Sequence, residues 1–317
     1  MIKILANDGI NADGKTLLEE AGYQVDTDKV AQEDLPKVLP GYDVIIVRSA
    51  TQVRKDLIDQ CPNLKIIARG GVGLDNIDFE HAKEKGIFVF NTPAASSQSV
   101  AELAFGHIFN LARFLQRSNT EMKTGGNFDK LKKAFSNGIQ LRGKTLGVIG
   151  FGRIGQESGR IGLGLGMRVL AYDPFVTEAD IHLPLPDADA LRITAHLETY
   201  DWETVLTESD FLTLHVPGIG KPLIGKEEIA KMKKGSYIIN TARGGIVDED
   251  ALVEALNSGH IAGAGLDVFL GEPNPRRDLV DHPNVSVTPH IGASTIEAQA
   301  NIGLELADRI IAFFGDA

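Results

Sequence analysis

Short apolar runs rich in β-branched residues alternate with helical stretches in the first third of this chain, and the same alternation starts again near its middle. The first series covers residues 2–6, 23–25, 43–47, 65–68 and 87–90. The second series covers residues 145–149, 168–172, 211–215, 236–240, 263–266 and 285–288. Strands that alternate with helices form parallel sheets with helices packed on both faces. The sequence therefore predicts an α/β protein built from two doubly wound parallel sheets in series.

Two long helical patterns and one irregular stretch complete the predicted organisation. Residues 97–119 place apolar side chains at helical spacing behind Ser96 and Ser97, so we expect one long helix that crosses from the first unit to the second. Residues 295–314 form a second helical pattern, and we expect it to pack back on the first unit and make that unit discontinuous. The stretch 176–195, with its prolines and aspartates, is typical of a long surface insertion.

The composition narrows the class of partner. The chain has 317 residues and a formal net charge of −11, which disfavours nucleic acid and anionic membranes and favours a small-molecule ligand. Cys61 is the only cysteine, so we predict no intrachain disulfide and no thiolate metal site. We also expect no bound metal. The chain opens with a predicted strand rather than an apolar leader, and it has no apolar run long enough to span a membrane. We therefore expect a cytoplasmic protein.

A glycine-rich turn follows the first strand of the second series. Gly150, Gly152 and Gly155 form the pattern G-x-G-x-x-G directly before a helical stretch that starts at Arg153. In dinucleotide-binding proteins the first glycine permits the tight turn, the second lets pyrophosphate approach the backbone, and the third allows close helix packing. The helix N-terminus then faces the phosphates. This context predicts a Rossmann-type nucleotide site.

An acidic residue stands where the ribose contact of such a site is expected. Asp173 follows the next predicted strand, 21 residues after Gly152. A carboxylate there accepts hydrogen bonds from the adenosine ribose hydroxyls and repels a 2′-phosphate, and Pro174 and Phe175 offer no compensating positive charge. The sequence therefore predicts NAD rather than NADP. The alternative is a glycine turn that only packs a helix on a strand.

Three polar side chains are candidates for the chemistry. Arg243 follows the predicted strand 236–240, Glu272 lies in a Gly-Glu-Pro turn, and His290 follows the predicted strand 285–288. Open α/β sheets bind ligands at the carboxyl ends of their strands. A guanidinium suits a carboxylate, an imidazole exchanges protons near neutral pH, and a nearby carboxylate fixes its tautomer. These residues predict hydride and proton transfer, although each also has an alternative structural role in its own turn.

Seven segments spread over nearly the whole chain resemble the D-isomer-specific 2-hydroxyacid dehydrogenase family, and most of all its D-3-phosphoglycerate dehydrogenase branch. They are VRSAT from Val47, RGGVGLDNID from Arg69, NTPAASSQSVAEL from Asn91, GKTLGVIGFGRIG from Gly143, NTARGGIVDE from Asn240, GAGLDVFLGEP from Gly263 and TPHIGAST from Thr288. The resemblance implies a flavodoxin-like substrate domain over residues 1–98 plus 291–317, a Rossmann NAD-binding domain over residues 99–290, and a homodimer. We also expect a short form without a regulatory domain that senses serine.

The resemblance also implies roles for individual residues. Arg243 is expected to bind the substrate carboxylate and carbonyl, His290 to be the acid–base residue and Glu272 to be its partner. The substrate is further expected to contact the backbone of Val72 and Gly73. NAD is expected to contact the glycine turn together with Val72, Arg153, Ile154, Asp173, Val216, Thr241, Ala242, Asp267, Gly292 and Ala293.

A phosphorylated substrate needs a further positive charge, and two arginines of the first series are candidates. Arg48 and Arg69 lie at predicted strand ends, where each either binds a phosphate or pairs with local acids. The favoured function is therefore NAD-dependent oxidation of 3-phosphoglycerate in serine biosynthesis. The alternatives are a glyoxylate, hydroxypyruvate or other 2-ketoacid reductase and, from another class, an NAD-sensing protein similar to the transcriptional co-repressors of this fold.

Overall fold

The structure, a computed structural model, describes residues 1–183 and 193–315 of the chain. Two compact units are formed, one by Met1–Ser99 with the segment that begins at Ala293 and the other by Val100–Gly292. The strands in the described ranges are β1 (Lys3–Ala6), β2 (Gln24–Asp26), β3 (Val44–Val47), β4 (Ile66–Arg69), β5 (Phe88–Asn91), β6 (Thr145–Ile149), β7 (Arg168–Tyr172), β8 (Glu178–Leu183), β9 (Ile193–Glu198), β10 (Phe211–Leu214), β11 (Ser236–Asn240), β12 (Ile261–Leu266) and β13 (Val285–Val287). The helices there are α1 (Ala12–Glu20), α2 (Leu35–Val38), α3 (Lys55–Asp59), α4 (Phe79–Glu84), α5 (Ser97–Arg113), α6 (Leu115–Lys123), α7 (Phe128–Ala134), α8 (Arg153–Gly164), α9 (Trp202–Glu208), α10 (Lys226–Lys231), α11 (Glu249–Ser258), α12 (Arg277–Val280) and α13 (Ile296–Gly315).

The first unit contains a five-stranded parallel sheet in the flavodoxin-like order β2-β1-β3-β4-β5. Every residue of β3 is buried, as expected for a central strand covered by helices on both faces. The helix α13 contributes Ile302, Leu306 and Ile310 to one side of this core. A methyl group built on Gly14 of α1 would lie 2.3 Å from the carbonyl oxygen of Gly303 in α13, so the backbones of these two helices are in close contact.

The second unit contains a six-stranded parallel sheet in the order β13-β12-β11-β10-β6-β7. The chain enters at β6, runs outward to β7, returns to β10 on the other side of β6 and then continues outward to β13. Strand order therefore reverses between β6 and β10, and ligands of open α/β sheets bind at the carboxyl ends of the strands at such a point. Helix α5 packs Phe105 and Ile108 on one face of the sheet, and α11 contributes Leu252 and Leu256 to the other.

The prediction of one long helix over residues 97–119 is wrong in one respect, because the helix is broken at Phe114. This residue adopts a left-handed conformation with φ 56°, and α5 and α6 are separate helices on either side of it. A right-handed helix cannot contain a left-handed residue. The helical spacing of apolar residues continues across the break, and for that reason the pattern predicted one helix.

The prediction of an irregular insertion over residues 176–195 is also wrong in part. Strands β8 and β9 pair in an antiparallel ribbon, and Ala179, Ile181 and Leu197 pack in the core that contains α5. Apolar side chains at every second position of β8 place one face of the ribbon on this core and the other in solvent. Residues 184–192 of the predicted insertion lie outside the described residues.

The predicted fold class is confirmed, with two parallel sheets that each carry helices. The bounds of the predicted strands agree with the observed ones within two residues, and those of β6, β7 and β11 agree fully. In residues 1–183 and 193–315, no helix is long and apolar enough to cross a membrane. No group of three or more His, Cys, Asp or Glu side chains in these ranges is placed to hold a metal ion.

Candidate active site

The glycine turn lies between β6 and α8, and the space around each of its three glycines differs. Gly150 has φ 89°, and a methyl group built on it would lie 2.5 Å from the carbonyl oxygen of His215. A methyl group on Gly155 would lie 2.0 Å from the carbonyl oxygen of Gly150, so α8 packs directly on the turn. A methyl group on Gly152 meets no atom within 4 Å, which leaves open space beside the N-terminus of α8. The turn thus fits a pyrophosphate at the backbone of Gly152.

The predicted ribose contact, Asp173, lies beside this turn. Its Oδ2 accepts a hydrogen bond from the backbone N–H of Phe151 (2.7 Å), and its Oδ1 accepts from those of Phe175 (2.8 Å) and Val176 (3.1 Å). An ionised carboxylate offers about four lone-pair positions. Three are used within the protein, which leaves one position, on Oδ2, for a further donor.

The other predicted cofactor residues of the second unit follow strand ends or begin a helix. Arg153 and Ile154 open α8. A methyl group built on Gly150 would lie 2.9 Å from the side chain of Val216, so Val216 adjoins the glycine turn. Thr241 and Ala242 follow β11, where the backbone N–H of Ala242 donates to Asn240 Oδ1 (3.0 Å).

His290 and Glu272 are in direct contact. His290 Nδ1 lies 2.8 Å from Glu272 Oε2, and Glu272 Oε1 accepts a hydrogen bond from the backbone N–H of Phe269 (2.9 Å). The side chain of His290 is 46% exposed, so the rest of its ring remains accessible. His290 has φ 54°, a left-handed conformation that residues other than glycine adopt rarely and that persists where the surrounding structure imposes it.

The pair perturbs the proton affinity of both groups. The hydrogen bond with Glu272 raises the pKa of His290 against the opposing effect of burial, and the negative charge of Asp267 adds to the increase. Burial favours the neutral form of Glu272, but the hydrogen bonds from His290 and the Phe269 amide outweigh it and lower the pKa of Glu272. The arrangement therefore holds an ionised carboxylate against an imidazole that is readily protonated near neutral pH.

The arginine loop packs against the loop that carries Glu272. A methyl group built on Gly244 would lie 2.0 Å from the carbonyl oxygen of Phe269, so only glycine allows the two loops to meet at this distance. The guanidinium of Arg243 donates to the carbonyl of Ala242 (2.6 Å). Its positive charge partly opposes the increase in the pKa of His290 and adds to the decrease in the pKa of Glu272. The structure thus places His290 against Glu272 and packs the loop of Arg243 against the loop of Glu272.

Asp267, predicted as a cofactor contact, has its carboxylate engaged within the protein. The residue is 1% exposed, and its Oδ1 accepts from the hydroxyl of Thr288 (2.6 Å) and the backbone N–H of Ile291 (2.9 Å). Its Oδ2 accepts from the backbone N–H of Gly292 (2.8 Å), and its carbonyl accepts from that of His290 (2.8 Å). Asp267 therefore holds the loop on which His290 lies, a role that sequence reasoning missed because these contacts join two separate strand ends.

In the first unit, Arg69 and the Val72–Gly73 backbone belong to the end of β4 and the loop after it. The guanidinium of Arg69 lies over Gly71, where a methyl group would be 1.8 Å from its Nη1. The side-chain amide of Asn91 donates to the carbonyl of Val72. Ala293 begins the returning segment of this unit, and its carbonyl accepts from Gln299 Nε2 (2.7 Å).

Arg48 is placed differently, because it lines a cavity. The cavity has a volume of about 250 Å³ and lies at the carboxyl ends of β1 and β3, where the strand order of the first sheet reverses. Within the described residues the guanidinium of Arg48 makes no hydrogen bond or ion pair. The other polar side chains that line the cavity are Asp8, Asn11 and Gln299. Sequence reasoning missed Asn11 and Gln299, since the N-cap of α1 and a residue of α13 are far apart in the chain and meet there only after folding.

Comparison with known proteins gives a consistent result. Residues 105–292 match the family model described as D-isomer specific 2-hydroxyacid dehydrogenase, NAD binding domain. The chain is 46% identical over 319 residues to a hydroxypyruvate reductase of Thermotoga maritima, a match that covers 99% of this chain and 98% of that protein. It is 43% identical over 312 residues to a D-3-phosphoglycerate dehydrogenase of Methanocaldococcus jannaschii, covering 98% of this chain but only 57% of that protein.

Solved structures are similar over the full length. The TT0316 protein of Thermus thermophilus has a TM-score of 0.84 at 30% identity, with 99% of this chain and 97% of that chain covered. An NAD-dependent formate dehydrogenase of Staphylococcus aureus, in complex with NAD, has a TM-score of 0.80 at 32% identity, with 99% and 96% covered. The family match and this NAD complex confirm NAD as the cofactor that the glycine turn predicted.

Proposed function

Because the chain belongs to the D-isomer-specific 2-hydroxyacid dehydrogenase family, we propose that it transfers a hydride between NAD and C2 of a D-2-hydroxyacid, with His290 as its acid–base residue. The observation that carries this assignment is the 2.8 Å contact between His290 Nδ1 and Glu272 Oε2. A carboxylate that accepts from Nδ1–H fixes the neutral imidazole as the tautomer with a lone pair on Nε2. That lone pair is the group that exchanges a proton with the substrate hydroxyl.

The proton and the hydride leave the substrate separately. The chemistry that NAD supplies when bound is reversible hydride transfer at its nicotinamide ring. In oxidation, His290 Nε2 takes the hydroxyl proton as C2 loses its hydride, and the negative charge of Glu272 stabilises the resulting imidazolium. In reduction, the imidazolium returns this proton to the carbonyl oxygen of the ketoacid. Arg243 offers paired N–H donors to the substrate carboxylate.

The preferred substrate under this proposal is 3-phosphoglycerate, with 3-phosphohydroxypyruvate as its oxidised product in serine biosynthesis. The cavity at Arg48 supports it, because a guanidinium without a partner in the described residues suits a phosphate group. The carboxylate of Asp8 at the same cavity already accepts hydrogen bonds from the backbone N–H groups of Arg48 and Thr51 and from the Thr51 hydroxyl. Its charge is thereby partly compensated and opposes an anionic ligand less. Arg69, whose guanidinium lies over Gly71, is the weaker candidate.

A second candidate function is reduction of hydroxypyruvate or glyoxylate. It is favoured by the 46% identity to a hydroxypyruvate reductase, a match that covers nearly the whole of both chains. The two candidates share the proposed chemistry at C2 and differ only in whether the substrate carries a phosphate. Arg48 is therefore the residue at which they are distinguished.

Initial rates of NADH oxidation with 3-phosphohydroxypyruvate and with hydroxypyruvate test the proposal. We expect a higher kcat/KM for the phosphorylated ketoacid, and we expect Arg48→Leu to lower that value by roughly 10- to 100-fold, as for the loss of a charged hydrogen bond. The rate with hydroxypyruvate should change little. Arg54→Leu is the matched control, since Arg54 pairs with Asp78 away from the cavity.

Three other outcomes would change or refute this assignment of function. A higher kcat/KM for hydroxypyruvate, with no effect of Arg48→Leu on either substrate, would establish the second candidate. Equal losses with both ketoacids would refute the phosphate role of Arg48. Absence of turnover with any 2-ketoacid would refute the enzymatic proposal and favour an NAD-sensing role.

A further inference from the structure

A row of buried and half-buried polar side chains runs from α5 to the loop that carries His290. Asn110 Nδ2 donates to Ser286 Oγ (2.7 Å), and Ser286 Oγ lies 2.8 Å from His107 Nδ1. His107 Nε2 lies 3.0 Å from Thr288 Oγ1, which donates to Asp267 Oδ1 (2.6 Å). His107 is 2% exposed and Asp267 is 1% exposed. The row therefore connects a helix on one face of the sheet to the carboxyl ends of β12 and β13.

The chemistry of the groups fixes the direction of every hydrogen bond in this row. An ionised Asp267 only accepts, so the Thr288 hydroxyl donates to it and its oxygen accepts from Nε2–H of His107. His107 Nδ1 then accepts from the Ser286 hydroxyl, whose oxygen accepts from Asn110. Burial lowers the pKa of His107, which keeps the ring in the neutral form that this direction needs.

The sheet is shaped to admit the ring. A methyl group built on Gly265 of β12 would lie 2.5 Å from the Cβ of His107, so any larger residue at this position would displace the histidine. A buried polar network is unfavourable unless each member has a partner, and here both ring nitrogens and both hydroxyls have one. The second unit thus leaves space for the His107 ring and provides a hydrogen-bond partner for each of its nitrogens.

The row ends on the backbone of the candidate acid–base residue. The carboxylate of Asp267 accepts hydrogen bonds from the backbone N–H groups of Ile291 and Gly292, and its backbone carbonyl accepts from that of His290. His290 has φ 54°, which is unfavourable for a residue with a side chain and persists only where neighbouring contacts impose it. The hydrogen bonds to Asp267 restrain the backbone directly at and after this residue.

We propose that His107 is a positioning residue, which holds the Thr288 hydroxyl on Asp267 and through Asp267 keeps the 290–292 backbone in the conformation that sets His290 against Glu272. Without the N–H of His107, the Thr288 hydroxyl is free to rotate and Asp267 loses a fixed charge-assisted hydrogen bond. The Ile291 and Gly292 amides on the Asp267 carboxylate then open more often. The consequence for turnover rests on the proposed function of His290, whereas the consequence for the amides does not.

Hydrogen–deuterium exchange of the whole protein measures the loop directly. In His107→Leu we expect the amides of Ile291 and Gly292 to exchange roughly 10- to 100-fold faster than in the wild type. The amide of Phe269, which donates to Glu272 instead, should exchange at an unchanged rate. His107→Gln retains a donor and an acceptor and should restore most of the protection. His260→Leu is the matched control, because His260 contacts the carbonyl of Ile229 and lies outside the row.

A double-substitution cycle distinguishes positioning from a general loss of packing. If His107 acts through Thr288, then Thr288→Val alone produces the same increase in exchange, and adding His107→Leu to it produces little more. The kinetic counterpart is a kcat for ketoacid reduction that falls about 10-fold in His107→Leu, with a smaller change in the KM of the ketoacid.

Each result has a distinct meaning. Unchanged exchange of Ile291 and Gly292 in His107→Leu, or fully additive effects of the two substitutions, would overturn the role of His107. If His107→Leu does not fold, His107→Gln replaces it in the test. Exchange of the Ile291 and Gly292 amides at the wild-type rate in His107→Gln supports the positioning role of His107. Exchange as fast as in Thr288→Val refutes that role. If His290→Gln turns over at the wild-type rate, the proposed function fails while the exchange results still decide the role of His107.

Discussion

Alanine substitutions at two glycines of the same turn should distinguish an effect on NADH affinity from an effect on the stability of the fold. Gly152 is the N-cap of α8, and a methyl group on it meets no protein atom within 4 Å. In Gly152→Ala, alanine is the poorer N-cap by about 0.5–1 kcal/mol, while the less flexible unfolded chain stabilises the protein by about 0.4–1 kcal/mol. The two effects nearly cancel. We therefore expect the free energy of unfolding to change by less than about 1 kcal/mol, which corresponds to about 2–4 °C in Tm.

The affinity for NADH should nevertheless fall in Gly152→Ala. The added methyl group fills the space through which pyrophosphate approaches the backbone N–H groups at the start of α8. Loss of one charge-assisted hydrogen bond costs about 1.5–3 kcal/mol. We therefore expect the Kd for NADH to rise by about 10- to 100-fold, and fluorescence titration of the purified protein measures it.

Gly155→Ala is the matched contrast. Its methyl group would lie 2.0 Å from the carbonyl oxygen of Gly150, whereas ordinary contact begins at 3.4 Å, so α8 or the turn must shift. Both groups belong to the backbone and no side chain can rotate away. Overpacking of this kind destabilises by about 1–3 kcal/mol, so Tm should fall by several degrees along with the loss of NADH affinity. Wild-type NADH affinity in Gly152→Ala would refute the placement of pyrophosphate at this turn.

Two other substitutions test the loops around His290. Glu272 raises the pKa of His290, so Glu272→Gln should lower that pKa. Ketoacid reduction needs protonated His290, so as pH rises it should be lost at lower pH than in the wild type. Oxidation needs neutral His290, so as pH falls it should persist to lower pH than in the wild type. Superimposable pH–rate profiles in both directions would contradict the pairing. Gly244→Ala places a methyl group 2.0 Å from the Phe269 carbonyl oxygen and forces apart the loops of Arg243 and Glu272, so kcat/KM should fall about 100-fold. Gly164→Ala meets nothing within 4 Å and should have nearly wild-type kinetics.

The fold was largely predictable because central parallel strands are buried on both faces. Such strands are continuous apolar runs, as in β3 (Val44–Val47), and their order along the chain limits the possible topologies. The break at Phe114 was not predictable, since no propensity favours a left-handed phenylalanine and tertiary contacts must impose it. The ribbon of β8 and β9 was missed because its strands are half-exposed and lack the continuous apolar run of a central strand.

The candidate site was predictable where chemistry and strand ends coincide in the sequence. The sequence indicated His290, Glu272 and Arg243 separately, but only the structure places His290 Nδ1 at 2.8 Å from Glu272 Oε2. Contacts between residues far apart in the chain were not predictable. His107 and Thr288 are separated by 181 positions, and the polar row they form has no signature in either segment.

The acid–base role of His290 is the central claim, and single-turnover stopped-flow kinetics test it most directly. Enzyme saturated with NADH is mixed with excess ketoacid, and NADH absorbance follows the hydride step in the wild type, His290→Gln and His290→Asn. Asparagine tolerates the left-handed backbone at this position, so His290→Asn removes the imidazole with the least change in the loop. We predict that both variants bind NADH as the wild type does and that the hydride step slows by at least about 100-fold. A hydride step at the wild-type rate in His290→Asn would contradict the account.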